Sequence, residues 1–352
     1  MTRKYLPLVL LSVLFLAGCK KEPLPEPEKG APVEIMVVFA PGQLGDQGYA
    51  DSVMEGVNSL DHFDDITQTD SLDIRFMAPY NSKDAAESIT EWAGNPSRPF
   101  SSGEYDRRLL VLTEPFMAGF LSSIADKLRP TDEVLLLKLE EDDIAQISKQ
   151  FSLGSRVHGL NISARASVKK YCEFIRIVES SEYNPHVNHF SIPMLRLFPN
   201  SEYPYRDGVE ETLREELGEE TDLMVFSLSD SQGEGIYSAD NSQTVVEAAY
   251  EWASMIDLTA TQSHCPFAIV DLGAGNAGWD YFLLGQTAFG NVMSLMIDAK
   301  DSFGATRFYV YRQFGMALMY WVYDWLAKPV GAMDVQTTHT DSFWYEDNLY
   351  TN

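Results

Sequence analysis

The sequence has few basic residues for its length. It contains 26 Lys and Arg against 52 Asp and Glu among 352 residues, which gives a formal net charge of -26. Binding to nucleic acid requires a basic surface that neutralises phosphates. We therefore expect no nucleic-acid partner.

Cysteine is also scarce, with Cys19, Cys172 and Cys265 as its three occurrences. None of them forms a C-x-x-C pair, so the usual redox and zinc spacings are absent. Cys172 and Cys265 could pair in an oxidising compartment or remain separate buried thiols. The helical pattern around Cys172 favours separate thiols.

Signatures of hydrolytic and metal chemistry are missing too. There is no G-x-S-x-G and no H-E-x-x-H segment. His186 and His189 lie close together in HVNH, next to a proline, which is more typical of a surface loop than of a metal site. With so many acids, a pair of carboxylates is no evidence for glycoside hydrolysis. We expect no enzyme activity, no cofactor and no metal.

The amino-terminal apolar run is too short to span a membrane. The opening MTRKYLPLVLLSVLFLAGC has two early basic residues, an apolar run over 6–16, and then Leu-Ala-Gly-Cys. A spanning helix needs roughly 20 apolar residues. The pattern resembles a bacterial lipoprotein signal, which implies removal of residues 1–18 and acylation of Cys19. An ordinary secretory signal with a chance Cys is the alternative. Either way, we expect the mature chain outside the cytoplasm, and in the first case anchored by lipid to a bacterial membrane.

The rest of the chain predicts a tether followed by two α/β lobes. Residues 19–32, rich in Pro, Lys and Glu, are typical of an extended tether. From Val33 onward, short apolar runs alternate with amphipathic stretches, first as VEIMVVFAP, YADSVMEGVNSLDHF and DIRFMAPY, and later in a second set. This alternation predicts parallel sheets flanked by helices. We assign 33–162 plus 304–328 to lobe I and 163–303 plus 329–352 to lobe II, with a ligand cleft between them.

The last helical pattern is unusually aromatic. Phe314, Leu318, Trp321 and Trp325 recur at helical spacing, and Asp324 argues against a membrane span. The pattern predicts a helix with one buried face.

Gly273, Gly275 and Gly278 in DLGAGNAGWDYF have the G-x-G-x-x-G spacing of a dinucleotide-binding loop. Asp298 follows 20 residues later, at the end of an apolar run, where such an enzyme binds ribose hydroxyls. A compartment outside the cytoplasm holds little NAD, however. The loop also falls late in the chain, whereas a Rossmann fingerprint typically opens its domain.

Several segments together resemble the basic membrane lipoprotein family, which are nucleoside-binding substrate receptors with the type I periplasmic-binding-protein fold. In chain order they are VVFAPGQLGDQGYADSVMEGVNSL, RRLLVLTEPFM, DLGAGNAGWDYF, VMSLMIDAKD and VYRQFGMALMYWV. The resemblance implies a nucleoside-like ligand bound between two lobes. In such a receptor, as in a Rossmann enzyme, glycines after a strand let backbone amides approach a ligand.

In lobe I the resemblance implies a ligand site after the first and third strands. Asp46 would either accept hydrogen bonds from ligand hydroxyls or cap the following helix. Tyr49 would either stack on the ligand or pack inside the protein. Phe116 matches the pocket phenylalanine of the family. Glu114 replaces a small residue, either as a change of specificity or as a solvated rim group. Ala50 replaces the usual Asn and removes a polar contact.

In lobe II the implied residues are Gly273 and Gly275 of the glycine loop, Trp279 as a stacking surface, and Asp298. Asp298 has an alternative as a helix cap or in a salt bridge with Arg307 or Lys300. Arg312 falls where the family has Lys, and a guanidinium pairs bidentately with carboxylate or phosphate.

These residues predict a solute-binding protein that captures a small polar, nucleoside-like ligand and serves a membrane transporter or sensor. We expect it to be a monomer. The alternative is a cell-surface interaction protein or hydrolase that keeps the fold without nucleoside binding.

Overall fold

The computed structural model of the protein describes residues 31–40, 44, 49–61, 72–99, 103–180, 191–196, 208–218, 222–227, 267–271, 293–297, 308–339 and 345–347. Helices and strands are labelled in chain order among these residues. The strands are β1 (Val33–Val38), β2 (Leu72–Met77), β3 (Arg107–Leu112), β4 (Asp132–Leu137), β5 (Val157–Ile162), β6 (Ser191–Arg196), β7 (Asp222–Ser227), β8 (Phe267–Asp271), β9 (Met293–Ile297), β10 (Phe308–Arg312), β11 (Gln336–His339) and β12 (Tyr345–Asp347). The α-helices are α1 (Tyr49–Asp61), α2 (Ser82–Gly94), α3 (Glu141–Gln150), α4 (Arg165–Ser180), α5 (Val209–Leu217) and α6 (Phe314–Ala327), and 3₁₀ helices cover Pro115–Ser123 and Gly154–Arg156.

The strands form two six-stranded sheets with the same internal order. The first sheet runs β11-β5-β4-β3-β1-β2 and is parallel throughout. The second runs β12-β10-β9-β8-β6-β7 and is parallel except where β12 pairs with β10. This arrangement confirms the predicted α/β fold with parallel sheets.

Both faces of the first sheet are covered, which explains why its strands read as continuous apolar runs. Val33, Ile35 and Val37 belong to one core cluster with residues of α1 and α6. Met36 and Val38 alternate with them and join a second cluster, with residues of α2, α3 and the first 3₁₀ helix. The period of two in β1 therefore divides the core of this lobe into two layers.

Sheet membership corrects the predicted division of the chain between lobes. We predicted 304–328 in lobe I and 329–352 in lobe II, but β10 lies in the second sheet and β11 in the first. The chain changes sheets after β5, after β10 and after β11. The predicted bounds differ from the sheet membership at these two strands, because strands that exchange sheets have the same local pattern as strands that do not.

α6 has the buried face that its aromatic spacing predicts. Phe314, Leu318, Trp321 and Trp325 are all at most 3% exposed and belong to the core cluster on the α1 side of the first sheet. Within the described ranges, no helix has the length and apolar composition needed to cross a membrane.

Cys172 is a free cysteine, fully buried in α4. Burial raises the pKa of its thiol to about 12. Cys265 lies outside the described residues.

α1 and α6 make a close backbone contact at two glycines. A Cβ atom on Gly56 would overlap the backbone of Gly315, and a Cβ on Gly315 would overlap the carbonyl of Ser52. The Gly315 amide also donates to the Ser52 hydroxyl at 3.3 Å. Only glycine fits at these two positions with the helices this close together.

A buried acid at the start of β4 joins the elements at the amino-terminal edge of the first sheet. The Glu133 carboxylate accepts from Arg107 at 2.9 and 2.6 Å and from the Trp325 indole at 2.7 Å. It also contacts the His158 imidazole at 3.0 Å and accepts from the Gly331 amide at 2.9 Å. One carboxylate thus connects β3, β4, β5, the end of α6 and the segment that leads to β11.

These contacts determine the ionisation of Glu133. Burial by itself would raise the pKa of this carboxyl, but the hydrogen bonds from His158, Arg107 and the Gly331 amide, together with the Arg107 charge, hold the pKa below its usual range. The carboxylate is therefore the form that the fold requires.

The glycine contact predicts a large effect of one added methyl group. Gly56→Ala should destabilise the protein by about 3 kcal/mol, because the helices must separate to admit the Cβ atom. Gly94→Ala is the matched control, since a Cβ atom there has nothing within 4 Å. Urea unfolding measures both, and equal midpoints for Gly56→Ala and the wild type would contradict the packing argument.

The Glu133 contacts predict that replacing this carboxylate lowers the free energy of unfolding by an amount that depends on pH. Because its pKa is lower in the folded state, the carboxylate stabilises the fold above its unfolded pKa of about 4.3, and this contribution is lost as the pH falls through the folded value. Glu133→Gln should cost about 3 kcal/mol at pH 7. That deficit should shrink in acid.

Urea unfolding at pH 7 and in acid tests this difference. Glu87→Gln provides the control, because Glu87 is exposed and 3.7 Å from Lys83. Its effect should stay below about 0.5 kcal/mol at both pH values. A Glu133→Gln deficit that is the same at both pH values would refute the electrostatic account.

Candidate functional site

Charged and aromatic residues gather at the carboxyl-terminal edge of the first sheet. β3 is followed by Thr113 and Glu114, β4 by Lys138, and α1 begins at Tyr49 after β1. All four residues are at most 3% exposed. Open parallel sheets bind ligands beyond the carboxyl ends of their strands. This edge is therefore the candidate site in lobe I.

Glu114 and Lys138 form a buried ion pair at this edge. The Lys138 ammonium donates to Glu114 Oε1 at 2.8 Å, and their side chains are 0% and 4% exposed, respectively. This burial removes the interpretation of Glu114 as a solvated rim group. Its interpretation as a change of specificity stays a prediction.

Tyr49 packs against the ion pair and against α6. The Lys138 ammonium lies 3.4 Å from the centroid of the Tyr49 ring, which is the geometry of a cation–π contact. The phenol donates to the Thr113 carbonyl at 2.8 Å, and the Phe314 ring lies at 4.8 Å in an edge-to-face arrangement. These contacts correspond to the packing alternative for Tyr49. Ligand stacking on the ring face that Lys138 covers would require the ammonium to move.

Sequence reasoning missed Lys138. Its backbone has φ +65°, in the left-handed region that residues other than glycine rarely adopt, while its amide donates to the Leu160 carbonyl at 3.0 Å. Leu137 and Leu139 on either side are fully buried. A single lysine within the buried run LLLKL was the available signal, because a buried charge requires a partner.

Arg312 lies at the end of β10 in the second sheet and contacts the first. Its guanidinium is fully buried and donates to the Ile162 carbonyl, the last of β5, at 2.9 Å. The guanidinium carbon also lies 5.3 Å from the Phe314 ring centroid. Arg312 thus links the end of β10 in the second sheet to the end of β5 in the first. Its predicted contact with a ligand stays a prediction.

Phe116 is not brought together with Tyr49. It is half-buried, packs against the core cluster on the α2 and α3 side, and lies 6.3 Å from the Phe120 ring. Tyr49 belongs to the cluster on the other face of the sheet. The two aromatic residues predicted for lobe I therefore pack in different layers.

The other predicted residues lie outside the described residues. They are Asp46, Gly273, Gly275, Trp279 and Asp298. β8 ends at Asp271 and β9 at Ile297, so the glycine loop and Asp298 follow strand ends in the sequence, as the prediction requires. Across the described ranges, no group of three His, Cys, Asp or Glu has a geometry that could hold a metal ion.

Solved structures with a similar fold include several solute-binding proteins. A glucose-galactose binding protein from Geobacillus stearothermophilus aligns with a TM-score of 0.53 and 12% identity over 91% of this chain and 97% of its own. A periplasmic solute-binding protein from Actinobacillus succinogenes 130z with bound D-allose aligns with a TM-score of 0.55 and 10% identity over 88% of this chain and 95% of its own. A 5-methylthioribose transporter solute-binding protein from Thermotoga lettingae TMO aligns with a TM-score of 0.54 and 9% identity over 92% of this chain and 87% of its own.

The chain therefore has the type I periplasmic-binding-protein fold that the resemblance implied. Identities of 9% to 12% with these structures establish the fold and not the ligand. No protein-family model and no curated protein matches the sequence.

Proposed function

We propose that this protein is a lipid-anchored solute-binding protein of the bacterial cell envelope that captures a small polar, nucleoside-like ligand between its two lobes. The observation that carries the proposal is the fold match, which extends over about nine tenths of the chain to proteins that bind sugars. No chemical step is part of this function. The bound ligand would pass to a membrane transporter or be reported to a sensor.

The ligand class is proposed from two lines of support. The segments that resemble the basic membrane lipoprotein family point to a nucleoside, and we propose membership of that family. The solved structures include a complex with 5-methylthioribose and one with D-allose. A ribose unit is common to a nucleoside and to 5-methylthioribose, so a polyhydroxylated ring is the recognition element that both lines share.

The proposed site uses both lobes. In lobe I it lies at the edge formed by Tyr49, Glu114 and Lys138. In lobe II it uses the glycine loop at Gly273 and the carboxylate of Asp298, which would accept hydrogen bonds from ligand hydroxyls. Closure of the lobes would bring these groups to one ligand, because neither lobe surrounds it alone.

A thermal unfolding panel tests the ligand class. The full chain, purified in detergent, would be heated with adenosine, guanosine, D-ribose, D-glucose, D-allose and, as an unrelated solute, L-leucine. A solute at 100 times its dissociation constant should add about 2.7 kcal/mol of stability. We expect a nucleoside to stabilise the protein most and leucine to have no effect.

Asp298→Ala should remove that stabilisation and leave the unliganded melting temperature unchanged. Asp301→Ala, three residues further along the chain, makes the same chemical change and should bind like the wild type. A wild type that none of the solutes stabilises would contradict the proposed function. Stabilisation by sugars alone would contradict the nucleoside assignment.

Anchoring is tested through Cys19. The wild type should partition into the membrane fraction and incorporate radiolabelled palmitate, because two or more acyl chains hold a protein stably in a bilayer. Cys19→Ser should do neither. Equal palmitate incorporation by both proteins would exclude Cys19 as the lipid site.

A further inference from the structure

The first sheet has a buried ion pair at each end of the same two neighbouring strands. At the amino-terminal edge, Arg108 of β3 pairs with Asp132 of β4, and both side chains are 0% exposed. At the carboxyl-terminal edge, Glu114 follows β3 and pairs with Lys138, which follows β4. The two pairs join the same strands in similar burial, so their surroundings can be compared directly.

The Arg108–Asp132 pair is hydrogen-bonded to the backbone around it. Arg108 donates to both carboxylate oxygens of Asp132, at 3.0 and 2.6 Å. It also donates to the carbonyls of Trp92 and Ala93 at the end of α2, at 2.6 and 3.4 Å. These contacts close the end of a helix whose last carbonyls need partners. The pair therefore has a structural role that its contacts explain.

The Glu114–Lys138 pair makes different contacts. The Lys138 ammonium donates to Glu114 Oε1 at 2.8 Å and lies against the ring of Tyr49, where α1 begins. Replacing a buried ion pair with apolar residues of similar volume is often neutral or stabilising. Stability alone therefore does not account for two buried charges at this edge.

Lys138 also has a strained backbone, with φ +65°. Non-glycine residues in this conformation cluster at active sites and ligand sites, where the surrounding structure holds them in place. Here the conformation places a lysine directly at the end of β4, beside the edge where ligands bind in open parallel sheets.

The contacts of Tyr49 extend the effect of the pair to α1 and α6. The ring lies between the Lys138 ammonium and the Phe314 ring, and its hydroxyl is held by the Thr113 carbonyl. A change in the charge or position of Lys138 would therefore shift the residue with which α1 begins. Asp46 lies three residues before this helix in the sequence.

We propose that Glu114 and Lys138 are positioning residues for ligand binding, which hold Tyr49 and the beginning of α1 in the geometry that the ligand requires. Glu114 fixes the ammonium, and the ammonium fixes the aromatic ring. This inference rests on the proposed function, because it assigns the pair to the same site. It also gives Lys138 a role that its position in the sequence does not reveal.

The test separates ligand affinity from stability in two matched double variants. Glu114→Gln with Lys138→Met removes both charges of the pair at the carboxyl edge. Arg108→Met with Asp132→Asn removes both charges of the pair at the amino edge, and Arg129, which also pairs with Asp132 at 3.1 Å, keeps its contact with Glu104 at 3.4 Å. Calorimetry would measure the dissociation constants of adenosine and D-allose for the full chain in detergent, and thermal unfolding would measure stability without ligand.

We expect the carboxyl-edge double variant to bind the probe at least about tenfold more weakly, the size typical of losing hydrogen bonds to a charged group at a site. Its melting temperature should stay near that of the wild type. The amino-edge double variant should melt lower and bind with wild-type affinity. Lys138→Met alone should melt lower than the carboxyl-edge double variant, because it leaves the buried Glu114 carboxylate without the Lys138 ammonium.

Two outcomes would overturn the inference in different ways. Wild-type affinity in the carboxyl-edge double variant would show that the pair does not position the ligand site, while the proposed function would stand. If the wild type binds neither adenosine nor D-allose, and no other sugar or nucleoside of the panel, the proposed function fails and the inference fails with it.

Discussion

The parallel direction of the strands is the constraint on which the rest of this structure depends. Parallel neighbours cannot be joined by a tight turn, so each strand is followed by a crossover that returns to the same edge. All the carboxyl ends of the first sheet therefore meet at one edge and all the amino ends at the other. Residues far apart in the sequence, such as Glu114 and Lys138, become neighbours because each follows a strand end.

The two edges of the first sheet use buried charge in different ways. At the amino edge, Glu133 and Asp132 receive several hydrogen bonds each, from side chains and from backbone amides. The pKa of both carboxyls is held below the usual range, since donated hydrogen bonds outweigh the effect of burial. At the carboxyl edge, the Lys138 ammonium contacts the Glu114 carboxylate and the Tyr49 ring. The charges at the amino edge hydrogen-bond to the backbone at the ends of helices and strands. The charges at the carboxyl edge lie next to the proposed site.

The exchange of β10 and β11 between the sheets makes the lobes dependent on one another. α6 follows a strand of the second sheet but packs on the first, against α1, through Gly56 and Gly315. Arg312 reinforces this place by donating to the last carbonyl of β5. The Arg312 guanidinium also lies 5.3 Å from the Phe314 ring centroid, and the Phe314 ring lies 4.8 Å from the Tyr49 ring. These contacts link the end of β10 in the second sheet to Tyr49 at the edge of the first.

By itself, the sequence determined the features that follow from local period and composition. The apolar runs predicted parallel strands in two lobes, the spacing of Phe314, Leu318, Trp321 and Trp325 predicted the buried face of α6, and positions after strands pointed to Tyr49 and Glu114. Only the tertiary structure decided which strand belongs to which sheet, that Lys138 is the partner of Glu114, and that Phe116 and Tyr49 pack in different layers. The physical reason is that burial repeats along a helix or strand with a fixed period, whereas the partner of a buried charge, the sheet that a strand joins and the glycines at a helix contact depend on residues tens to hundreds of positions away.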